Sequence, residues 1–264
     1  MRGLSKRWGT AEVLRDLNFS ARRGEIAVVI GKSGCGKTTL LKIMGTLEKP
    51  TGGAVLIDGA DTVPLGENAL KPIRRRIGMV FQYSALLDWM TVFENVAFPL
   101  QEHTDLDADA VRTRVLEKLE VLGLADAREH LPAELSGGMK KRVALARALV
   151  LEPEIVMYDE PTSGLDPVMA HVVDDLILRT RDRFGVTSIV ISHDMAATLR
   201  IADSVHLLDG GRMLVSGTPA ELLESSDPEV KQFLESSAID AARLLREHHA
   251  RPHAFPSAGA GPAC

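Results

Sequence analysis

Cysteine and long apolar runs are both scarce in this sequence. The two cysteines, Cys35 and Cys264, are too few for a disulfide framework, so we expect a chain that functions in a reducing compartment. Apolar runs such as the one over 26–30 are far shorter than the roughly 20 residues that a membrane-spanning helix needs. The first ten residues, MRGLSKRWGT, carry charge without a following apolar stretch, so we expect no signal peptide. These absences predict a cytoplasmic chain that does not cross a membrane by itself.

An excess of positive charge is also absent. The chain has 31 Lys and Arg against 36 Asp and Glu, and the two signs are interspersed along it. Because no basic arm or patch is visible, we expect no nucleic-acid partner. With 264 residues, of which 45% are hydrophobic, the chain is long enough for one large globular domain or for one domain with an inserted subdomain.

Three short apolar runs predict the centre of an α/β fold. IAVVI at 26–30, IVMY at 155–158 and SIVIS at 188–192 are rich in β-branched residues, and a loop and a helical stretch follow each of them. This alternation is typical of a parallel sheet covered by helices. Turn-rich pieces over 13–21 and 53–80, including the alternating AVLIDG at 54–59, predict antiparallel strands on one side of that core.

Helical patterns dominate two later regions. Apolar residues at helical spacing over 109–122 and an Ala- and Leu-rich stretch over 139–151 predict an inserted helical subdomain at about 83–150. Near the end of the chain, SDPE at 226–229 combines an N-cap candidate with a proline suited to the first helical position, which predicts a helical extension over 226–249. Residues 250–264 are rich in Ala, Pro and Gly, so we expect a disordered tail there.

A glycine-rich loop follows the first apolar run. GKSGCGKT at 31–38 fits the pattern G-x-x-x-x-G-K-[ST], between a predicted strand and a predicted helix. Glycines let successive backbone N–H groups point into one concavity, Lys37 can reach the β- and γ-phosphates, and the Thr38 hydroxyl can bind Mg²⁺. We therefore expect a bound nucleotide, held by Gly31, Ser33, Gly34, Cys35, Gly36, Lys37, Thr38 and Thr39.

Two alternatives apply to this loop. The first is a glycine-rich turn without any ligand, which the position between strand and helix disfavours. The second concerns Cys35, whose thiol is either reactive or a small side chain that the loop tolerates. We favour the tolerated side chain as the simpler interpretation.

Polar side chains end the other two predicted strands. Asp159 and Glu160 follow the run at 155–158, and His193 follows the run at 188–192. Because parallel strands end at the same edge of a sheet, we expect these side chains beside the glycine-rich loop. Asp159 suits Mg²⁺, Glu160 suits the polarisation of an attacking water, and His193 suits contact with the γ-phosphate. The coincidence of three strand ends weakens the alternatives, a solvated acidic turn and a structural histidine.

Further motifs accompany these residues. LSGGM at 135–139 precedes a helical stretch, Gln82 follows the VF of VFQY, and SGLD occupies 163–166. Together with His193, they resemble the signature, Q-loop, D-loop and switch histidine of the ATP-binding cassette family of transporter ATPases, over about residues 4–225. The resemblance implies a P-loop NTPase (RecA-like) core, an antiparallel β-subdomain and an inserted α-helical signature subdomain, all within an ATP-binding domain at 1–225.

The resemblance also implies a nucleotide site shared by two copies of the chain packed head to tail. The signature turn of one copy then closes over the ATP held by the phosphate loop of the other. Ser136, Gly137, Gly138 and Asp166 are implied to contact this nucleotide. A simple N-cap formed by Ser136 is compatible with that role but does not account for the two glycines.

ATP and Mg²⁺ are the cofactors that the resemblance implies. Thr38, Gln82 and Asp159 are the implied Mg²⁺ ligands. Trp8 occupies the position of the aromatic residue that stacks on adenine in relatives, a role that its ring suits. The expected catalytic residues are Glu160, His193 and Gln82.

A transport role follows from the same resemblance. The residues at 83–104 lie where the permease of this family docks, so we expect a separate integral membrane permease as partner. FENVAFPLQEHT at 93–104, ELSGGMKKRVALARAL at 134–149 and SSDPEVKQFL at 225–234 are similar to the ATPases of bacterial lipid-asymmetry systems. That similarity implies phospholipid transport, a periplasmic MCE-domain partner and a place on the cytoplasmic face of the inner membrane. The alternatives are another cargo, such as amino acids, ions or a cell-wall complex, and a cassette protein that acts on DNA or ribosomes without a permease.

Overall fold

A six-stranded sheet forms the centre of the structure, a computed structural model that describes residues 1–236. The strands are β1 Arg2–Trp8, β2 Ala11–Leu17, β3 Ile26–Ile30, β4 Gly52–Ala54, β5 Leu56–Ile57, β6 Ala60–Asp61, β7 Ile77–Val80, β8 Ile155–Asp159, β9 Thr187–Ser192, β10 Ser204–Asp209 and β11 Arg212–Gly217. The helices are α1 Lys37–Met44, α2 Glu67–Arg75, α3 Val92–His103, α4 Ala108–Val121, α5 Gly137–Leu149, α6 Pro167–Phe184, α7 Met195–Ile201, α8 Pro219–Leu223 and α9 Pro228–Ser236, with short 3₁₀ turns at Ala125–Ala127 and Pro132–Glu134.

The central sheet has the strand order β11-β10-β3-β9-β8-β7. Its strands run parallel except for β11, which pairs with β10 in the antiparallel direction. All of β3 and β9 is buried, as expected for continuous apolar runs covered on both faces. The predicted α/β fold with three central parallel strands is confirmed, because β9 lies between β3 and β8 and brings their carboxyl ends to one edge.

A smaller antiparallel sheet with the order β2-β1-β4 lies beside this core. The predicted antiparallel strands are therefore present, although the sequence prediction did not include β1. Within the alternating segment 54–59, β4 ends at Ala54, and β5 forms a two-stranded hairpin with β6. Asp58 and Gly59 join β5 to β6 with φ of 49° and 80°, the left-handed values that a tight hairpin turn requires.

Three capped helices occupy the segment that follows β7. Thr91 and Glu94 form a reciprocal capping box at the start of α3, and Asp107 accepts a hydrogen bond from the N–H of Ala110 at the start of α4. The helix predicted over 109–122 is confirmed as α4. Fully buried aliphatic side chains from the three helices form one core with the sheet: Val96, Leu100, Val115, Leu119 and Val143. The division of the chain at 83–150 stays a prediction.

The described part of the chain ends with helix α9. The Asp227 carboxylate accepts a hydrogen bond from the N–H of Glu229 at 2.8 Å, and the helix starts at Pro228, as its sequence predicts. Val230, Phe233 and Leu234 are buried against the core. The remainder of the predicted extension and the predicted tail at 250–264 lie outside the described residues. None of the helices within residues 1–236 is long and apolar enough to cross a membrane.

Candidate nucleotide site

The glycine-rich loop joins β3 to α1 in a conformation that only small residues fit. Gly36 caps α1 with a φ of 108°, and a side chain on it would meet the Cδ2 atom of Leu14 at 2.7 Å. A Cβ atom on Gly31 would lie 2.2 Å from the carbonyl oxygen of Leu208 in β10. These close approaches fix the loop between β10 and the small antiparallel sheet, with the first turn of α1 directly behind it.

Lys37 lies inside this loop and is buried. Its Nζ atom donates hydrogen bonds to the carbonyl oxygens of Gly31 at 2.8 Å and Lys32 at 3.0 Å. The ammonium group is therefore held in the concavity of the loop by backbone oxygens. Thr38, which is exposed, follows Lys37 in the first turn of α1, so the sequence brings a hydroxyl to the N-terminus of this helix. A cation and a helix N-terminus at one point favour an anionic ligand.

Cys35 is half-buried in the same loop. Burial raises the pKa of its thiol above the ordinary value, and the nearby Lys37 opposes this effect. The protonated thiol is the less nucleophilic form. This direction supports the interpretation of Cys35 as a small side chain that the loop tolerates.

Asp159 ends β8 as a buried carboxylate. Burial raises its pKa above the usual range, and the negative charge of Glu160 acts in the same direction. Within residues 1–236, the Asp159 Oδ1 atom is buried and has no hydrogen-bond partner. An unpaired carboxylate oxygen is costly unless a cation or donor compensates it. This oxygen and the hydroxyl of Thr38 are hard oxygen donors of the kind that Mg²⁺ prefers, so the residues fit that ion.

Glu160 links the strand ends to the loop. Its N–H donates to the carbonyl oxygen of Ile191 in β9 at 2.9 Å, and its φ of 45° turns the chain sharply at the end of β8. The Oε2 atom lies 3.1 Å from Nδ1 of His193, and Oε1 lies 3.9 Å from Nζ of Lys37. The structure therefore brings together three residues that the sequence placed at separate strand ends.

Gln82 and the D-loop meet at the side of this cluster. Gln82 follows β7, and its Nε2 atom donates to the Ser163 hydroxyl at 3.1 Å. The Asp166 carboxylate caps α6 and accepts hydrogen bonds from the N–H groups of Val168 and Met169 at 3.0 Å each. Sequence reasoning selected Asp166 in this loop and missed Ser163, which contacts Gln82. The predicted role of Asp166 toward the nucleotide stays a prediction.

The signature turn begins helix α5. The Ser136 hydroxyl accepts a hydrogen bond from the N–H of Met139 at 3.3 Å, which confirms the N-cap. Gly138 is buried, and a Cβ atom on it would lie 2.1 Å from the Cε atom of Met169. Ser136 and Gly137 are exposed, so the start of α5 presents its backbone N–H groups outward. Such a helix N-terminus favours an anion.

Trp8 ends β1 and is 53% exposed. The ammonium group of Lys6 lies 4.2 Å from the centre of its ring, which fixes one face of the indole. Lys6 pairs across the sheet with Leu14, the residue that closely approaches Gly36 in the phosphate loop. The small antiparallel sheet thus carries an exposed aromatic ring on the side of the core where the loop lies.

Two further cations near Gln82 were missed from the sequence. Lys141 of α5 is buried and donates to the carbonyl oxygen of Gln82. Arg147, two turns further along α5, donates to the carbonyl oxygens of Ser84 at 2.8 Å and Ala85 at 2.7 Å. The basic residues in the otherwise apolar stretch MKKRVALARAL are the only sequence signal that singles them out.

Comparisons with known proteins identify the family of the chain. A family model described as "ABC transporter" matches residues 14–163. The intermembrane phospholipid transport system ATP-binding protein MlaF of Haemophilus influenzae is 42% identical over 92% of this chain and 92% of its own length. The methionine import ATP-binding protein MetN 1 of Rhodococcus jostii is 43% identical over 87% of this chain and 69% of its own length. A dimeric ATP-binding cassette in a post-hydrolysis state, bound to ADP and Pi, has a TM-score of 0.75 and 34% identity over 83% of this chain and 97% of that chain.

Proposed function

The chain belongs to the ABC transporter family, and on that premise we propose that it is the ATP-hydrolysing subunit of an Mla-type system that transports phospholipid between membranes. The observation that carries the cargo is the likeness to MlaF, which extends along 92% of both chains. Identity alone does not separate the cargoes, because MetN 1 is 43% identical. MlaF, however, is aligned over 92% of this chain and MetN 1 over 87% of it. The longer match within this chain favours phospholipid over methionine.

Two copies of the chain form the working unit in this proposal. The exposed start of α5 presents backbone N–H groups that suit an anion. In a head-to-tail dimer, Ser136 and Gly137 of one copy contact the γ-phosphate of ATP held around Lys37 of the other. The dimeric cassette that this chain resembles, bound to ADP and Pi, supports such an arrangement.

Hydrolysis takes place at the cluster of strand ends. Glu160 accepts a proton from a water molecule, the water oxygen attacks the γ-phosphorus, and the bond from that phosphorus to the bridging oxygen breaks to give ADP and phosphate. His193, 3.1 Å from Glu160, orients the carboxylate and contacts the γ-phosphate. Lys37 balances the negative charge on the phosphates. Thr38, Asp159 and Gln82 would hold Mg²⁺, which would supply positive charge to neutralise the phosphates.

A separate permease receives the movement that ATP binding produces. The segment after Gln82 carries two strongly exposed aromatic side chains, Tyr83 at 87% and Trp89 at 75%. Exposed aromatic rings of this kind mark protein interfaces, because their burial releases apolar surface from water. We place the permease contact here, with the chain on the cytoplasmic face of the inner membrane and an MCE-domain protein on the far side of the permease.

The test is a purification of the tagged chain from its native cells in mild detergent. The Glu160→Gln variant, which slows hydrolysis and keeps the ATP-bound dimer together, is purified in parallel with ATP and Mg²⁺. Mass spectrometry of both samples identifies the proteins and lipids that remain bound. We expect a permease, an MCE-domain protein and phospholipid, all at higher yield with Glu160→Gln.

The purified complex then allows a direct measurement of transport. Reconstituted into vesicles with a fluorescent phospholipid, the wild-type complex should transfer lipid only when ATP is present. Lys37→Ala, which removes the ammonium group from the phosphate loop, should stop both transfer and ATP hydrolysis. The phospholipid cargo would be refuted if a permease is recovered without an MCE-domain protein and no ATP-dependent lipid transfer is measured. The proposed ATP hydrolysis would not be refuted by that result.

A further inference from the structure

Residues 82–91, which we call the docking segment, connect β7 to α3 without forming a strand or an α-helix. The segment starts at Gln82 in the nucleotide site and carries the exposed side chains of Tyr83 and Trp89. It therefore reaches from the site of hydrolysis to the surface assigned above to the permease. Its conformation depends on hydrogen bonds to its backbone from side chains outside the segment.

Helix α5 supplies the first set of these bonds. Lys141 donates to the carbonyl oxygen of Gln82, and Arg147 donates to the carbonyl oxygens of Ser84 and Ala85 at 2.8 and 2.7 Å. Burial lowers the pKa of Lys141 and of Arg147, so both cations are withdrawn from water to make these contacts. Charge-assisted bonds to carbonyl oxygens are stronger than neutral ones, which suits them to hold a loop.

Helix α3 supplies the second set through Asn95, which is fully buried. Its Oδ1 atom accepts a hydrogen bond from the N–H of Leu87 at 2.8 Å. Its Nδ2 atom donates to the carbonyl oxygens of Leu87 and Met90 at 3.0 Å each. The two ends of the docking segment are thus fastened to different helices, the nearer end to α5 and the farther end to α3.

Two residues at the α5 end have strained backbone conformations. Ser84 has a φ of 62° and Ala85 a φ of 45°, values in the left-handed region that residues with a Cβ atom rarely adopt. Such conformations persist only where surrounding structure holds them. The carbonyl oxygens of these same two residues are the ones that Arg147 binds. Loss of the guanidinium group would therefore release the segment at its strained point.

We propose that Lys141 and Arg147 are positioning residues that make α5 and the docking segment move as one unit. In the dimer proposed above, Ser136 at the start of α5 faces the nucleotide of the second copy. Arg147 lies about 17 Å further along the same helix at 1.5 Å per residue. A displacement of α5 on ATP binding is then transmitted through these cations to Tyr83, Trp89 and the permease. The transmission step rests on the function proposed above. The hydrogen bonds from Lys141 and Arg147 to the docking segment, which we call the clamp, lie within one copy of the chain and do not depend on that function.

The clamp is tested first on the full chain without any partner, by hydrogen exchange measured with mass spectrometry. Arg147→Met removes the two bonds to the docking segment and keeps the length of the side chain. The matched control is Arg142→Met on the same helix, because Arg142 donates to the carbonyl oxygens of Leu122 at 3.0 Å and Gly123 at 3.2 Å. We expect peptides covering 82–91 to exchange at least tenfold faster in Arg147→Met only, with peptides of β3 and β8 unchanged in both variants.

Unchanged exchange over 82–91 in Arg147→Met would overturn the clamp. So would equal acceleration in Arg142→Met, because the effect would then be general loosening of α5. Arg147→Lys serves as a second variant if Arg147→Met fails to fold. A lysine retains the charge but cannot bind both carbonyl oxygens with one planar group, so exchange over 82–91 should rise less, by about threefold.

Transmission is tested in the complex with the permease. For Arg147→Met we expect the KM for ATP to stay within twofold of the wild type. The stimulation of ATP hydrolysis by the permease should fall about tenfold, while Arg142→Met keeps it. Faster exchange without loss of stimulation would overturn the transmission step. A wild-type complex that hydrolyses ATP but moves no phospholipid would instead refute the proposed cargo and leave this comparison intact.

Discussion

Replacement of Glu160 by glutamine is the sharpest test of the chemistry assigned to the nucleotide site. The substitution keeps the shape of the side chain and removes one negative charge from the centre of the cluster. Lys37 keeps its two hydrogen bonds to the carbonyl oxygens of Gly31 and Lys32, since neither involves Glu160. The phosphate loop should therefore retain its conformation, and binding and hydrolysis should respond differently.

The expected change in ATP affinity can be estimated from the distance between Glu160 and Lys37. Two unit charges at the 3.9 Å that separates Glu160 from Lys37 interact by about 1 kcal/mol in water and about 4 kcal/mol at an effective dielectric constant of 20. Without the Glu160 carboxylate, the charge of Lys37 interacts with the phosphates alone. If this interaction is worth about 1 kcal/mol, ATP should bind about fivefold more tightly. Hydrolysis loses its general base, which typically contributes about 10²- to 10⁴-fold in rate.

The assay measures ATP affinity by fluorescence of a nucleotide analogue and turnover by phosphate release. Glu154→Gln is the matched control, because Glu154 immediately precedes β8 at the opposite end of the strand and pairs with Arg76 at 2.7 Å. It removes the same charge from the chain at a distance from the nucleotide. We expect the kcat and ATP affinity of Glu154→Gln to stay within threefold of the wild type.

Three results would refute the reasoning. A turnover of Glu160→Gln within threefold of the wild type would show that another group accepts the proton from water. A loss of ATP affinity by tenfold or more would show that Glu160 holds the loop in shape, contrary to the hydrogen bonds of Lys37. Equal losses of turnover in Glu160→Gln and Glu154→Gln would indicate a general effect of net charge.

Two further predictions concern stability. Gly31→Ala places a Cβ atom 2.2 Å from the carbonyl oxygen of Leu208 and should cost about 1–3 kcal/mol in a thermal melt. Gly52→Ala is the control and should cost little, because a Cβ atom there meets the Cβ atom of Ser5 at an ordinary 3.9 Å. Equal melting temperatures for the two variants would refute the clash. Burial lowers the pKa of His206 to about 4, so the unfolded state binds the proton first and stability should fall as pH drops from 6.5 toward 4, by about 2 kcal/mol at pH 5. His206→Gln should remove that part of the pH dependence in urea unfolding, and an unchanged slope would contradict it.

The parts of the fold that the sequence predicts are those specified by local patterns. The continuous apolar runs of β3, β8 and β9 are buried on both faces, and the spacing of Val111, Val115 and Leu119 specifies α4. Strand β1 was not predicted because its residues, RGLSKRW, lack a regular alternation of apolar and polar side chains, and one of its two partners, β4, lies some 50 residues away. The alternation at 54–59 predicts antiparallel strands, but it does not locate the turn of the hairpin of β5 and β6 within that segment.

The candidate site likewise contains residues whose proximity the sequence predicts and contacts that it does not predict. Lys37, Glu160 and His193 could be placed together because each follows a parallel strand and such strands end at one edge of a sheet. The contacts of Lys141 and Arg147 could not, since they depend on how α5 packs against a loop about 60 residues earlier in the chain. The hydrogen bond from Gln82 to Ser163 spans a larger separation, 81 residues, and likewise has no local sequence signal.

Gln82 was selected from the sequence, whereas its contacts are found only in the structure. Its side chain is bonded to Ser163, which follows Glu160 and the end of β8, and its carbonyl oxygen is bonded to Lys141 in α5. Its neighbours along the chain carry the exposed aromatic rings. A movement of the D-loop or of α5 therefore reaches the same backbone. Because side chain and carbonyl oxygen are held from opposite sides, that backbone cannot follow one element without straining its bond to the other, which favours two discrete arrangements over a gradual shift.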